Sequence, residues 1–258
     1  MARLLQGFPF VVVASVSGLA ALAWLDLWHR ARAMAPDAGI GMSAAMAMPG
    51  PMPWDLLDLF AAGTMWSIMM TAMMLPSAMP MLLLVSAVQR SRMAGGRGPT
   101  AALFAAGFLL IWLAWSWLAA GLQWVLQASL ALSPHLTVAR LPLAIAFLVL
   151  AGLYQFTSLK HACLAQCQSP LGFLLTRWRD GPWSGMQMGA RYGAYCVGCC
   201  WALMGLLFVV GVMNLPWIAV LAMFVLVEKT ARGPWLGRAT GAALIAWALY
   251  LLVAAPSA

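Results

Sequence analysis

The sequence is poor in charge, and above all in acidic residues. Of its 258 residues only 8% are charged, against about 25% in ordinary soluble domains. Six residues are aspartate or glutamate, and Glu228 is the only glutamate. So few charged side chains cannot supply a soluble fold with a wettable exterior. The composition therefore excludes soluble Rossmann enzymes, nucleic-acid binders and secreted disulfide scaffolds, although the net charge is +8.

The usual groups of a catalytic centre are also scarce. The chain has three histidines, and it contains no nucleotide-binding loop, catalytic triad, paired carboxylates or facing haem-type histidines. These absences argue against a conventional enzyme, although they leave the presence of a reaction undecided.

What the sequence does contain is apolar surface: 64% of its residues are hydrophobic. Long apolar runs separated by short polar segments predict membrane-spanning helices, whereas barrel strands would alternate at every second residue. We therefore predict an all-α, polytopic membrane helix bundle. Seven spans are expected, at about residues 8–28, 57–88, 100–130, 141–158, 187–213, 216–230 and 236–254.

These spans form a single integral membrane domain over residues 1–258. It consists of a signal-anchor helix (1–32), an outer loop rich in Met, Pro and Gly (33–56), and a bundle (57–254) with an interfacial segment at 159–186. Span 216–230 is the weakest, because its uncharged part, 216–227, is shorter than the roughly 17 residues needed to cross. It spans only if Glu228 and Lys229 lie inside the helix; if it is re-entrant, six spans are left.

The positive charge indicates orientation. Under the seven-span model, 11 of the 14 Lys and Arg residues lie on the amino-terminal side, and only Arg30, Arg32 and Arg140 lie on the other. The positive-inside rule then places the amino terminus in the cytoplasm and the carboxy terminus outside. Asp55 is expected to cap the second span.

All five cysteines lie between residues 163 and 200. Cys163 and Cys167 share one helix face, and Cys196, Cys199 and Cys200 share another. Two helices that each present thiolates in this way could converge on one soft metal centre, which could be Cu(I), zinc or an iron–sulfur centre, with His161 as a further ligand. Small neighbours, among them Gly198, would allow close helix approach.

Two other interpretations of the cysteines stay open. Buried cysteine is often only a small hydrophobic residue that fills space. Alternatively, the cluster could carry out thiol redox chemistry. A disulfide is disfavoured on the reducing side of the membrane, which the charge asymmetry assigns to this cluster.

Methionine is the second sulfur-bearing residue in excess, with 19 copies. In the second span Met65, Met69 and Met73 form one stripe, and Met74 continues the stripe beside it. Pro76 should kink the helix next to these residues. The stripe could offer thioethers to Cu(I), or it could simply pack, since methionine adapts to irregular gaps.

Further sulfur lies in the outer loop, where a soft ion could first be caught because thioethers bind without losing a proton. The loop methionines are Met34, Met42, Met46, Met48 and Met52. The alternative is an ordinary loop lying along the membrane. His29 and His135, predicted on the same side, are more typical of interfacial residues than of ligands.

Glu228 and Lys229 form an ionisable pair within a predicted span, and such residues are functional candidates by default. Glu228 could neutralise a metal or carry a proton, or it could fix helix packing through Arg191 or Lys160. Lys229 is expected to extend toward the inner interface.

Several elements in a fixed order resemble a bacterial family of uncharacterised integral membrane proteins described as predicted metal-binding. They are Met73-Met74-Leu75-Pro76-Ser77, Leu159-Lys160, Cys163-Leu164, Cys167, Pro170, Gly193, Cys196, Gly198-Cys199-Cys200-Trp201, Leu203-Met204 and Glu228-Lys229. The resemblance covers about residues 57–250 and implies metal binding, with copper handling by analogy. Gln168 stands where the family pattern has a basic residue, so an anchoring contact beside Cys167 is expected to be missing.

The leading hypothesis is a copper-binding inner-membrane protein that acts in metal uptake, transfer or delivery. Cu(I) would pass from thioethers outside to thiolates inside, with a metal chaperone or a larger membrane complex as partner. The alternatives are an accessory or structural subunit of such a complex and a membrane thiol oxidoreductase.

Overall fold

The computed structural model describes residues 2–33, 55–92, 100–128, 141–178, 181, 183–231 and 233–254. In these residues the regular structure is entirely helical, as predicted. The helices are α1 (Ala2–Ala33), α2 (Leu56–Met74), α3 (Met79–Arg92), α4 (Thr100–Ala128), α5 (Leu141–Tyr154), α6 (Ser158–Gln168), α7 (Pro170–Arg177), α8 (Ser184–Gly205), α9 (Leu207–Val210), α10 (Leu215–Thr230) and α11 (Trp235–Ala254), with a 3₁₀ turn at Pro76–Ala78. The five loop methionines and His135 lie outside the described residues.

Five helical segments in the described part of the chain are long and apolar enough to cross a membrane. They are Phe10–Arg32, Leu56–Gln89, Thr100–Ala128, Ser184–Val210 and Trp235–Ala254. A sixth crossing is possible if α5 and α6, which meet at an angle of 64°, together form one broken span. The structure thus gives five or six candidate spans, where the sequence predicts seven.

The predicted seventh span corresponds to α10, which has 16 residues. Glu228 and Lys229 lie inside this helix, as a crossing would require, and both side chains are buried. A helix of this length rises about 24 Å, less than the roughly 30 Å of a bilayer core. That α10 crosses the membrane therefore stays a prediction.

The start of α2 confirms the predicted cap. The Asp55 carboxylate accepts hydrogen bonds from the backbone N–H groups of Leu57, at 2.8 Å, and of Asp58, at 3.0 Å. The Asp58 carboxylate accepts in return from the Asp55 backbone N–H at 3.1 Å. This capping box satisfies the first orphan donors of the helix and places negative charge at its positive end.

The predicted break at Pro76 is also present. Helix α2 ends at Met74, the chain makes the 3₁₀ turn, and α3 begins at Met79. Proline lacks a backbone N–H and clashes with the carbonyl four residues earlier, which explains the interruption. In the turn, the buried Ser77 hydroxyl donates to the Met74 carbonyl at 2.8 Å. A polar side chain is thereby brought into the centre of the bundle.

Helices α4 and α8 pack closely because glycines line their contact. A methyl group on Gly189 would overlap the Phe104 carbonyl oxygen, and one on Gly107 would overlap the carbonyl oxygen of Met186. A methyl group on Gly185 would lie only 2.6 Å from the Thr100 carbonyl oxygen. Such small-residue contacts are typical of membrane helix pairs, and here they fix the helix that carries three of the cysteines.

The segment predicted as interfacial, 159–186, contains α6, α7 and the start of α8. Helix α6 begins after Thr157, whose hydroxyl accepts from the Lys160 backbone N–H at 3.3 Å. The α6 side chains of Lys160, Cys163 and Cys167 are buried against the bundle. The sequence did not predict this burial, which turns one face of the segment into part of the core.

Candidate metal centre

Helix α8 positions Cys196, Cys199 and Cys200 on one buried face, with side chains at most 1% exposed. The spacing of three and four residues places the three Cβ atoms on adjacent turns, as the sequence predicts. The Cys199 and Cys200 thiols both donate to the Cys196 carbonyl, at 3.1 and 2.9 Å. The three sulfurs are therefore grouped at one level of the helix.

Helix α6 adds a fourth sulfur. The Cys167 thiol interacts with the thiols of Cys196 and Cys199, and the Cys200 thiol interacts with the same two groups. We call Cys167, Cys196, Cys199 and Cys200 the thiol quartet. All five cysteines of the chain are free and buried, and α6 approaches α8 through Cys167. Whether these sulfurs bind one ion stays a prediction.

Cys163 lies beside the quartet, against the backbone of α8. A methyl group on Gly198 would approach its Sγ to 2.7 Å, so this glycine makes room for the sulfur. The Gly198 carbonyl accepts a hydrogen bond from the Tyr154 hydroxyl. Gly198 thus allows close helix approach, as predicted, and Cys163 has a packing role at this contact.

The quartet is in contact with a buried ammonium group. Lys229 Nζ, on α10, donates to Cys196 Sγ at 3.0 Å and to Ser77 Oγ at 2.7 Å. The lysine side chain is 8% exposed and lies within electrostatic range of all four quartet sulfurs. The expectation that Lys229 extends toward the membrane interface is therefore wrong. It points inward because a hydroxyl and a thiol offer it acceptors there.

The neighbouring Glu228 has a different partner. Its carboxylate forms a buried ion pair with Lys160, with Nζ–O distances of 2.7 and 3.0 Å. Of the two packing partners considered from the sequence, Lys160 on α6 is the one observed. Gly237 on α11 leaves space for this pair, since a methyl group there would lie 3.1 Å from Glu228 Oε1.

Gln168, at the end of α6, anchors α10. Its amide nitrogen donates to the backbone carbonyls of Glu228, at 2.9 Å, and Ala231, at 2.8 Å. The expectation that a contact beside Cys167 is missing is wrong, because the amide replaces a basic residue by satisfying carbonyls at the helix end.

The methionine stripe of α2 is fully inside the bundle. Met65, Met69, Met73 and Met74 are all buried. The helix that carries them leads directly into the turn whose Ser77 accepts from Lys229. His161 is half-buried on α6, two residues before Cys163. Whether the methionines or His161 bind a metal stays a prediction.

Within the quartet, Cys167 and Cys200 each interact with both Cys196 and Cys199. Within the described ranges, no three His, Cys, Asp or Glu side chains are arranged to hold one metal ion together. A zinc site normally needs such a group of three or four protein ligands. Pairs of thiolates suit a soft monovalent ion, which forms two-coordinate complexes.

Sequence reasoning passed over two residues at this centre. From the sequence, Ser77 is only one residue of the element Met73-Met74-Leu75-Pro76-Ser77, and no role is predicted for Tyr154. A small polar residue directly after a helix-breaking proline is the signal that could have identified Ser77. Tyr154 had no signal, because its hydroxyl reaches Gly198 from a separate helix.

In the part of the chain that the structure describes, fold and centre define a class: a helical protein with five or six segments able to span a membrane and a buried group of free thiols. A family model described as PpoB2, copper chaperone, matches residues 63–251, and the chain belongs to this family. That membership agrees with a metal-related role and with copper handling. No curated protein and no solved structure matches the sequence significantly.

Proposed function

We propose that this protein is a membrane-embedded copper chaperone that carries Cu(I) on the thiol quartet. The observation that carries the proposal is the convergence of four buried free thiols from α6 and α8. Thiolates are soft ligands that select Cu(I). Binding exchanges thiol protons for the ion, so copper is held and released without a change in its oxidation state.

Copper reaches the quartet along α2. Its buried methionines supply thioethers from Met65 to Met74, a rise of about 14 Å at 1.5 Å per residue. The next turn places Ser77 beside Lys229 and Cys196. Thioether ligands bind Cu(I) more weakly than thiolates do, so affinity increases toward the quartet. The outer loop, 33–56, makes the first capture.

The protein acts in the inner membrane of a bacterium as one integral membrane domain, with the amino terminus in the cytoplasm. The excess of Lys and Arg on the amino-terminal side supports this orientation. It places the quartet near the reducing face, where thiols persist. The recipient is a copper-requiring membrane complex or a soluble metal chaperone.

The test is copper stoichiometry. Protein purified anaerobically in detergent, loaded with Cu(I) and freed of excess ion should retain a stoichiometric amount of copper by elemental analysis. The Cys199→Ser/Cys200→Ser variant should lose most of it, because serine oxygen is a hard and poor ligand for Cu(I). Cells that carry this variant should grow less well than wild type under copper limitation.

Cys163→Ser is the matched control, since Cys163 is a buried cysteine of the same helix as Cys167. It should bind copper as the wild type does. Wild-type protein that retains no copper, or a double variant that retains all of it, would overturn the proposal. Partners that co-purify whether or not copper is removed would instead indicate an accessory subunit. Alkylation of Cys199 and Cys200 that depends on redox state would indicate an oxidoreductase.

A further inference from the structure

The buried charges near the quartet do not cancel. Lys160 and Glu228 form one ion pair and contribute no net charge. Lys229 is left with a hydroxyl and a thiol as hydrogen-bond partners. A buried ammonium group is costly unless negative charge lies close to it. Among the described residues, Lys229 Nζ donates to Ser77 Oγ and Cys196 Sγ, and of these two acceptors only the thiol can become an anion.

The charge of the loaded centre depends on the ion. Cu(I) bound by two thiolates carries a net charge of −1, which one ammonium group neutralises. A divalent ion on the same two thiolates is already neutral, so the ammonium group would be left uncompensated. A third thiolate would restore the balance for a divalent ion, but no three-ligand arrangement exists in the described residues.

We propose that Lys229 is the specificity-determining residue of the quartet: its ammonium group compensates a two-thiolate complex and so selects a monovalent soft cation over a divalent one. Cys196 Sγ is the quartet atom to which Lys229 Nζ donates a hydrogen bond. Ser77, in the 3₁₀ turn between α2 and α3, accepts the second hydrogen bond of the ammonium group. This inference rests on the proposed function, because it assumes that the quartet binds the ion.

The effect should be large because the charges are buried. At a separation of about 4 Å, unit charges interact several times more strongly in a protein interior than in water. Removing one partner of a buried charged contact weakens binding by at least about tenfold. Lys229 is therefore expected to affect Cu(I) strongly, and to disfavour Zn(II) at the same site.

The experiment compares Lys229→Met, Lys229→Arg and Arg238→Met. Methionine keeps the length of the side chain and removes the charge, whereas arginine keeps the charge. Arg238 is exposed on α11, so its variant loses the same unit of charge away from the site. Cu(I) affinity is measured by competition with a chromophoric Cu(I) chelator, and Zn(II) affinity by competition with a zinc dye.

Lys229→Met should lose at least about tenfold in Cu(I) affinity, and the ratio of Cu(I) to Zn(II) affinity should fall. Lys229→Arg should retain most of the selectivity, and Arg238→Met should match the wild type. The ratio of Cu(I) to Zn(II) affinity could stay unchanged in Lys229→Met while copper binding still depends on the quartet. That result would overturn this inference but not the proposed function. If copper binding by the wild-type protein does not depend on the quartet cysteines, the proposed function itself is overturned.

The wild-type protein gives a second test that does not depend on the folding of a variant. X-ray absorption of the copper-loaded form should show two sulfur neighbours at each Cu(I). Three thiolate neighbours would give the complex a charge of −2, which one ammonium group does not neutralise. That result would overturn the charge-matching argument even if every variant failed to fold.

Discussion

Single residues decide the electrostatics of the bundle centre, and the pair Lys160–Glu228 is the clearest case. Both side chains are almost completely buried, at 1% and 3% exposure. A charge left alone in such a place is far more costly than the pair itself, because the partner's attraction offsets the loss of hydration. The pair therefore ties α6 to α10, the two helices that bring Cys167 and Lys229 to the quartet.

Removing one partner should destabilise the protein severely. Lys160→Met or Glu228→Leu alone should each cost about 3–5 kcal/mol, because an unpaired charge is left buried. The double variant should recover most of this loss, since two apolar side chains fill the same space. Thermal unfolding of the detergent-solubilised protein measures all three, and the coupling follows from the double-mutant cycle.

The same double variant distinguishes a structural role of Glu228 from a role at the ion. If the pair only packs helices, the double variant binds Cu(I) as the wild type does. If the double variant were as stable as the wild type but did not bind copper, the packing role would be contradicted. The Glu228 carboxylate would then contribute to ion binding.

Much of the centre could be predicted from residue spacing, and the rest could not. Cys196, Cys199 and Cys200 share a face because helix geometry alone requires it. The direction of Lys229 depends on an acceptor, Ser77, that is 152 residues away in the chain. The amide of Gln168 likewise finds carbonyls on another helix. Such contacts depend on tertiary packing, which no local pattern of residues encodes.

At the scale of secondary-structure elements, the contact between α4 and α8 holds the cysteine-bearing helix in place. Gly189→Ala should destabilise the protein by about 1–3 kcal/mol, because the added methyl group must push two backbones apart. It should also lower copper occupancy, since α8 carries three quartet cysteines. Thermal unfolding and elemental analysis of the same preparation measure both effects.

Gly121→Ala is the matched control for this prediction. Gly121 lies in α4, and nothing lies within 4 Å of a methyl group added there. The variant should be neutral, or more stable by up to about 1 kcal/mol, because alanine favours helix more than glycine does. Equal destabilisation by both substitutions would contradict the close-contact argument.

The existence of the helices and the break at Pro76 were predictable from the sequence, whereas the bend between α5 and α6 was not. Long apolar runs predicted the candidate spans Leu56–Gln89, Thr100–Ala128, Ser184–Val210 and Trp235–Ala254 to within about three residues at each end. No proline lies at the 64° bend between α5 and α6, so the sequence does not predict this bend. It arises where Gln155 and Phe156 make turn hydrogen bonds back to Gly152 and Leu153, and the chain turns to bring Cys167 to α8.

At the scale of the whole molecule, the number of membrane crossings decides on which side the carboxy terminus lies. If α10 and the broken helix both cross, the carboxy terminus lies opposite the amino terminus. A reporter active only outside the cytoplasm should then give a signal when it is fused at Ala258. A fusion after Gly95 is the control and should give none. A cytoplasmic signal at Ala258 would contradict the seven-span topology.

Helix α10 has a property that bears on how an ion bound at the quartet would be released. Its consecutive residues Glu228 and Lys229 point about 100° apart around the helix axis, one to α6 and the other to α8 and Ser77. A turn of α10 about its own axis would break both buried contacts at once. The helix is therefore locked in rotation, and any release of cargo either leaves it still or moves its neighbours with it.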